Sequence, residues 1–436
     1  MPTDANDVAH LLRRAGFVGT PSQITSLAAL DLPTIVGQVL DSSGNPAVTM
    51  PPSIGNVAVE KYVQFMDLWH RWFDRMASTP TPIVEKMTLF WQGHFTTSLS
   101  KVYEPDHIWQ QHVLYRNSAL TGDFRAFAQA MAIEPAMVLY LDNADNHKSS
   151  PNQNFARELM ELFLLGVGNY TEADVVASAA AWTGYSYNWD TRHYEYKPDW
   201  HDNGNKTFFG TTKNWNGPQI IDEIFASKGT IVANYLCRKL WEFFAYQAPE
   251  QPILDALAST FISSGWNVRS VLSALFQRPE FYSAKAKQGR VRSPIEYVVT
   301  VLKGLQVPSA DVHPEWFLSG MGQEPFDPPD VSGWKLNRYW VSTSMLYAKA
   351  GFAENASWTL ADKSNPRHPF ANAATMTPTQ LADRAFQLFG ITSPMPATRT
   401  VLQNWATAQK AAPYQEWVQP HDFMILSLLM PDLMMA

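Results

Sequence analysis

Two carboxylates and a guanidinium stand inside one of the most apolar stretches of the chain, Ser150-Pro-Asn-Gln-Asn-Phe-Ala-Arg157-Glu158-Leu-Met-Glu161-Leu-Phe-Leu-Leu165-Gly166. The stretch reads as one helix. Ser150 is placed to cap it, Pro151 suits the first helical position, Gln153 closes a capping box, and Gly166 supplies a left-handed stop. On such a helix Asn154, Glu158, Glu161 and Leu165 share a face. Phe155, Leu159, Met160, Leu162, Phe163 and Leu164 cover most of the remainder, and a helix apolar nearly all round is normally buried. Unpartnered buried carboxylates are costly, so the pair is either tied into a network or set on a cleft. Glu158 and Glu161 at i, i+3 lie roughly 5–6 Å apart at Cβ and can raise one another's pKa, which suits a general acid. Arg157, at i, i+4 from Glu161, offers the plainer account of an Arg–Glu brace in the core.

Glycoside hydrolysis places its acid and its base or nucleophile on opposite sides of the scissile bond. Neighbours on one helical turn are poorly placed for both roles, so a second carboxylate must come from elsewhere. Asp202, in His201-Asp-Asn-Gly204, is the expected partner, with His201 orienting it or acting as a base near neutral pH. A turn capped by Asp202 and Asn203 is the competing reading. His94, just before Thr96-Thr97-Ser98, is expected on the same cleft, against the alternative of a core histidine beside Trp91 and Phe95. Sixteen Trp and sixteen Tyr are a heavy aromatic load, suited to stacking on sugar faces or to core packing with partnered polar tips. The expected saccharide contacts are Trp91, Tyr187, Trp189, Trp200, Trp334 and Asn154. The Asp142-Asn-Ala-Asp-Asn-His147 loop has dense oxygen donors but lacks the spacing and terminal Glu of an EF-hand. Glu172 and Asp174, behind Thr171, read as first-turn dipole complements.

The positioning elements are read as helices. Thr20-Pro-Ser-Gln23, Ser150-Pro-Asn-Gln153, Ser293-Pro-Ile-Glu296 and Thr377-Pro-Thr-Gln380 share one start signal, and each precedes an apolar run with helical spacing. Further helical runs are expected over 8–15, 57–77, 82–95, 124–133, 172–182, 229–244, 252–263, 268–275 and 421–429. Alternating patterns are scarce. The fold class is therefore mainly α: a large multi-helix assembly over 1–436, taken as a single domain. A short β-hairpin excursion is expected around 184–210, where Tyr185, Tyr187, Trp189, Tyr194 and Tyr196 alternate, within irregular insertions over 184–215 and 320–342. The Pro/Gly-rich 321–340 segment is the kind of long loop that commonly serves function.

Composition narrows the classes. A net charge of −7 without a dense Lys/Arg run disfavours nucleic acid. The single Cys237 excludes an internal disulfide framework and a cysteine zinc cluster, and its apolar setting marks it as a core thiol. No stretch approaches the roughly 20 apolar residues of a membrane span. The N-terminal residues carry no signal pattern, so the protein is periplasmic or secreted if a leader was removed and otherwise cytoplasmic. Phosphate-loop, dinucleotide, Gly-x-Ser-x-Gly, His-Glu-x-x-His and haem-attachment motifs are absent, and no cofactor is expected.

Six segments occur together in order: His10-Leu-Leu-Arg-Arg-Ala-Gly-Phe17, Lys86-Met-Thr-Leu-Phe-Trp-Gln-Gly-His-Phe95, Asn154-Phe-Ala-Arg-Glu-Leu-Met-Glu-Leu-Phe163, Gly168-Asn-Tyr-Thr-Glu-Ala-Asp-Val175, His201-Asp-Asn-Gly-Asn-Lys-Thr207 and Pro328-Pro-Asp-Val-Ser-Gly-Trp334. In this order they resemble the bacterial "domain of unknown function 1800" family, from about residue 7 to the C-terminus. The resemblance implies an exported or envelope-associated protein, with a sulfatase-like family as partner. It also implies histidines where this chain has Gln92 and Phe163, so a metal site between those two helices is not expected here.

The leading expectation is an all-α hydrolase of a polysaccharide. Glu158 would be its proton donor and Asp202 or Glu161 its second carboxylate, tuned by His94, Arg157 and His201. The alternatives are a non-catalytic envelope scaffold binding a partner protein or glycan, and a metal-dependent hydrolase.

Overall fold

The computed structural model describes residues 1, 3–287, 289–360, 368–411 and 418–436. The fold is mainly α. Among these residues β structure is confined to two antiparallel ribbons: β1 (Tyr185–Asn188) with β2 (His193–Tyr196), and β3 (Lys206–Phe208) with β4 (Thr211–Lys213). The first is the expected hairpin, in register Tyr185 opposite Tyr196 and Tyr187 opposite Tyr194. It grips the chain before it at Gly184, whose φ of +80° and whose position 2.6 Å from the Lys197 carbonyl at a would-be Cβ leave no room for a side chain.

The start signals act as written at three of the four sites. Thr20, Ser293 and Thr377 each close a reciprocal capping box, opening the helices Pro21–Ala28, Pro294–Leu305 and Pro378–Leu388. Thr171 and Asp174 do the same for Glu172–Ala181. The helix expected from Gly229 begins earlier, at Gly217, because Asn216 forms its own capping box, and a break at Lys228 separates the two parts.

The fourth signal fails. Residues 150–153 are not helical, and the helix begins at Asn154 with Gln153 at its cap position and no side-chain cap bond. The backbone donors were claimed elsewhere: the Asn152 amide donates to Asn146 Oδ1 at 2.8 Å and the Asn154 amide to Asn152 Oδ1 at 2.9 Å. Ser150 instead bridges to His147. After one α-turn, Asn154–Glu158, the segment Leu159–Leu164 is π-helical, and Gly166 ends it at φ +81° as expected. A π-turn widens the spiral, so the face assumed for Asn154, Glu158, Glu161 and Leu165 does not run straight. It is also a distortion met frequently at functional sites.

One connected apolar core runs from Val8 to Leu433 and includes the π-turn residues Leu159, Met160, Phe163 and Leu164. Cys237 is buried in it, and burial pushes its thiol pKa up, away from reactivity. Ionic groups are also buried. Arg14, Lys86, Arg290 and Arg292 lie with Glu296 at 0–1% exposure. Glu296 accepts from Lys86, from Arg290 Nη2 at 2.6 Å and from the Ser293 amide at 2.9 Å. This cluster ties the Pro82–His94 helix to the Pro294–Leu305 helix.

Candidate active site

The carboxylate helix does not hold the expected brace. Arg157 turns away from Glu161 and makes a two-pronged pair with Glu172, at 2.7 and 3.0 Å. Glu161 is held by the Tyr170 hydroxyl. Glu158 is half-buried and, among the described residues, enters none of the hydrogen bonds or ion pairs of the structure. Burial raises its pKa, the Glu161 charge raises it further, and Arg157 offsets part of that. Glu158 is therefore a carboxyl with a raised pKa and, among the described residues, no hydrogen bond or ion pair to its side chain.

Tyr140 shows what lies on the same side. Its hydroxyl pKa is pushed up to about 12 by burial and then by the negative charges of Asp330, Asp327 and Glu158. Asp327 and Asp330 belong to the Pro/Gly-rich loop, whose charges thus reach the same tyrosine as that of Glu158. Asp327 accepts from Ser98 and from the Ser100 amide at 3.0 Å, fixing the loop to the start of the short helix Leu99–Val102. Asp330 accepts from the Ser332 hydroxyl at 2.5 Å and its amide at 2.8 Å. These bonds, with Lys335 behind them, lower its pKa and hold it ionised.

Ser332 is also part of the wall of an adjoining cavity of about 120 Å³. Trp334, His94, Lys239, Arg290 and Trp340 line it too. Lys239 reaches the carbonyl of Leu162 at 3.5 Å and so links the cavity wall to the carboxylate helix. Burial lowers the Lys239 pKa to about 8, with Glu242 partly restoring it. Cations outnumber carboxylates on this wall: Lys239, Arg290 and Lys335 face Glu242 alone. Gly333 makes the loop's approach possible. It has φ +79°, and a Cβ there would stand 2.3 Å from the Gly93 carbonyl. Gly333→Ala is expected to lower stability by at least about 1 kcal/mol through the left-handed backbone alone. An unchanged urea midpoint would contradict this packing.

Of the remaining expected site residues, His94 and Trp334 are on the wall of this cavity and the others are not. His94 is buried among Phe90, Phe95, Phe124 and Phe163, and neither ring nitrogen is aligned with a hydrogen-bond partner. Burial and then Lys239 hold its pKa well below the usual histidine value, so it is neutral. Gln92 and Phe163, the positions for which the resemblance implied histidines, are buried alongside, with the Phe163 ring 6.4 Å from His94. Trp91 is wholly buried and donates to the Ala119 carbonyl at 3.2 Å, which withdraws it from any surface a sugar can reach. Asn154 donates to Asp142 at 3.1 Å.

Among the described residues no hydrogen bond or ion pair joins Asp202 or His201 to Glu158. Asp202 accepts from the Gly204 amide at 2.7 Å and faces Lys206 at 3.9 Å, a local turn. His201 is buried with Nδ1 2.8 Å from the Thr183 carbonyl. Tyr187 is buried against His107 at 2.7 Å, Trp189 is exposed edge-on to it, and Trp200 carries Lys197 over its ring at 4.2 Å. Among the described residues these groups lie around the hairpin and the turn that follows it, whereas Asp330 acts with Glu158 on Tyr140. Asp330 stood in plain view within Pro328-Pro-Asp-Val-Ser-Gly-Trp334, and its placement in a Pro/Gly-rich loop was the available signal.

Residues 10–435 match the family described as "Protein of unknown function (DUF1800)". The chain belongs to that family. Neither the curated proteins nor the solved structures provide a match. Of the segments that carry the resemblance, 86–95 and 328–334 both line the cavity, and 154–163 is linked to it through Lys239. The Asp142–His147 loop spends its side chains locally: Asp142 on Lys101, Asn143 on the Tyr185 carbonyl, and Asn146 on Asn143 and the Ala179 carbonyl. Among the described residues no helix is long and apolar enough to cross a membrane.

Proposed function

We propose that this DUF1800 chain is a hydrolase acting on a polysaccharide, with Glu158 as general acid and Asp330 as the ionised second carboxylate. The observation that carries the reading is the opposite perturbation of these two groups on one side of Tyr140: Glu158 is raised by burial and Asp330 is lowered by Ser332. Pairs of titratable groups driven apart by their surroundings mark acid and base assignments. Withdrawal of Arg157 to Glu172 favours catalysis over a scaffold role, which called for a neutralised pair. Trp334 supplies a flat apolar surface at the cavity, and the lysines and arginine of the wall favour a sugar bearing an acidic group.

The test is release of reducing ends from a panel of neutral and acidic polysaccharides, comparing wild type with Glu158→Gln and Asp330→Asn. At least one substrate, most readily an acidic one, should be cleaved by wild type and spared by both variants. Cleavage by Glu158→Gln at the wild-type rate would refute the assignment, and so would the absence of cleavage across the panel.

A further inference from the structure

Away from the carboxylates, on the helix Lys61–Ser78 and the turn that precedes the helix Glu315–Met321, three side chains converge that the hydrolase reading does not use. His313 Nδ1 is 2.9 Å from Glu315 Oε1, and His70 Nε2 is 3.5 Å from the same oxygen. One ligand atom from each of His70, His313 and Glu315 lies within 4.8 Å of the others. From this geometry we propose that His70, His313 and Glu315 bind a divalent transition-metal ion of the zinc class.

Three features argue for a cation over a plain ion-pair triad. The Glu315 side chain is only 10% exposed, and its second oxygen, Oε2, is buried with no hydrogen-bond donor. A carboxylate oxygen in that condition lacks the partner its charge requires, and a metal would supply it. The second feature is the His70 ring. Ser309 Oγ donates to the His70 carbonyl at 3.2 Å, so at its 2.9 Å contact with His70 Nδ1 it serves as acceptor. Nδ1 is then the donor to Ser309, which leaves Nε2, the nitrogen beside Glu315, as the one that would ligate the ion. This is the outer hydrogen bond that fixes the tautomer of a ligating histidine. In turn Ser309 is anchored by its amide to Asp74 Oδ1 at 2.7 Å. Thirdly, the field is negative: besides Glu315, both Asp74 and Asp67 act on His70.

Two imidazoles and one carboxylate are the donor set of open, catalytic-type zinc sites, which retain a position for water. Here the site is partly exposed, with His313 at 39% and stacked on Trp316 at 4.1 Å, so that position faces solvent. The ion would also clip the start of the Glu315–Met321 helix to Lys61–Ser78. That helix runs directly into the loop that carries Asp330 and Trp334, so occupancy should steady the wall of the cavity. The proposal stands independently of whether Glu158 is a catalyst.

The experiment is calorimetric titration of the untagged, chelator-treated full chain with Zn²⁺, paralleled by the visible absorption of Co²⁺ as a substitute ion. One equivalent should bind saturably, with the Co²⁺ spectrum of a low-coordinate nitrogen and oxygen site, and with affinity falling as the imidazoles protonate. Glu315→Gln and His313→Gln should each weaken binding at least tenfold, and Ser309→Ala by roughly tenfold, within the range seen when outer-shell partners are lost. His313 is the most exposed ligand, so its variant reads binding even if changes at His70 disturb the fold. Failure of one equivalent to bind, or retention of wild-type affinity in Glu315→Gln and His313→Gln, overturns the proposal. Absence of polysaccharide cleavage by the wild type across the panel, with intact Zn²⁺ binding, would sink the hydrolase reading and leave this one standing.

Discussion

Glu296→Gln is expected to destabilise the protein by about 3–5 kcal/mol, the range for removing one partner of a buried pair. Lys86 and Arg290 both donate to this carboxylate at 1% exposure, and the Arg14 and Arg292 charges stand nearby. Burial alone would push the Glu296 carboxyl up. Arg290 and Lys86 outweigh it, and the group is held well below the usual carboxylate range. Without that charge several cations remain in a low-dielectric interior with hydrogen bonds alone. The sign with pH follows. A depressed folded pKa contributes stability above the unfolded carboxylate value, and this contribution fades as pH falls through the folded one. Urea unfolding at neutral pH should show the loss, and the double variant Lys86→Met/Glu296→Gln should recover part of it. If Glu296→Gln unfolds at the wild-type midpoint, the cluster is not what joins these helices.

Glu158→Gln should lower kcat by about 100- to 10,000-fold on the substrate identified, the usual contribution of a positioned general acid. The fold should survive, since Glu158 is half-buried and no hydrogen bond or ion pair depends on it. Here the stability effect runs the opposite way. A carboxyl raised by burial contributes stability only while protonated, below the ordinary glutamate pKa, and loses it as pH rises through the folded pKa. Glu158→Gln, neutral throughout, should therefore be more stable than wild type at neutral pH and indistinguishable from it in acid. Wild-type activity should decline on the alkaline side as Glu158 deprotonates and on the acid side as Asp330 protonates. Reduced activity accompanied by reduced stability would indicate a structural defect and count against the acid role.

Much of the architecture was legible locally. Thr20, Thr171, Ser293 and Thr377 carry their helix starts in three or four residues, because a capping box is satisfied within one turn. The alternating tyrosines over 185–196 gave the hairpin, for side chains on a strand must alternate between faces. The failure at Ser150 has an equally physical cause. Asn146 and Asn152 compete for the backbone donors that a helix would have used, and only the folded loop brings them there. Glu296 reads as a capping residue and is one, yet its larger role is to neutralise Lys86, from a helix 210 positions away, together with Arg290.

The sequence by itself determined the family, the mainly α class and the presence of an acid pair in an apolar segment. These follow from composition, periodicity and motif order, which are local properties of the chain. The tertiary structure alone decided where each charge went. It sent Arg157 to Glu172 and left Glu158 unpaired, closed Asp202 into a turn, brought Asp330 within reach of Tyr140 as it did Glu158, and gathered His70 with His313 and Glu315. A charge's partner is set by distance and burial after the helices pack, and spacing along the chain constrains neither beyond one helical turn.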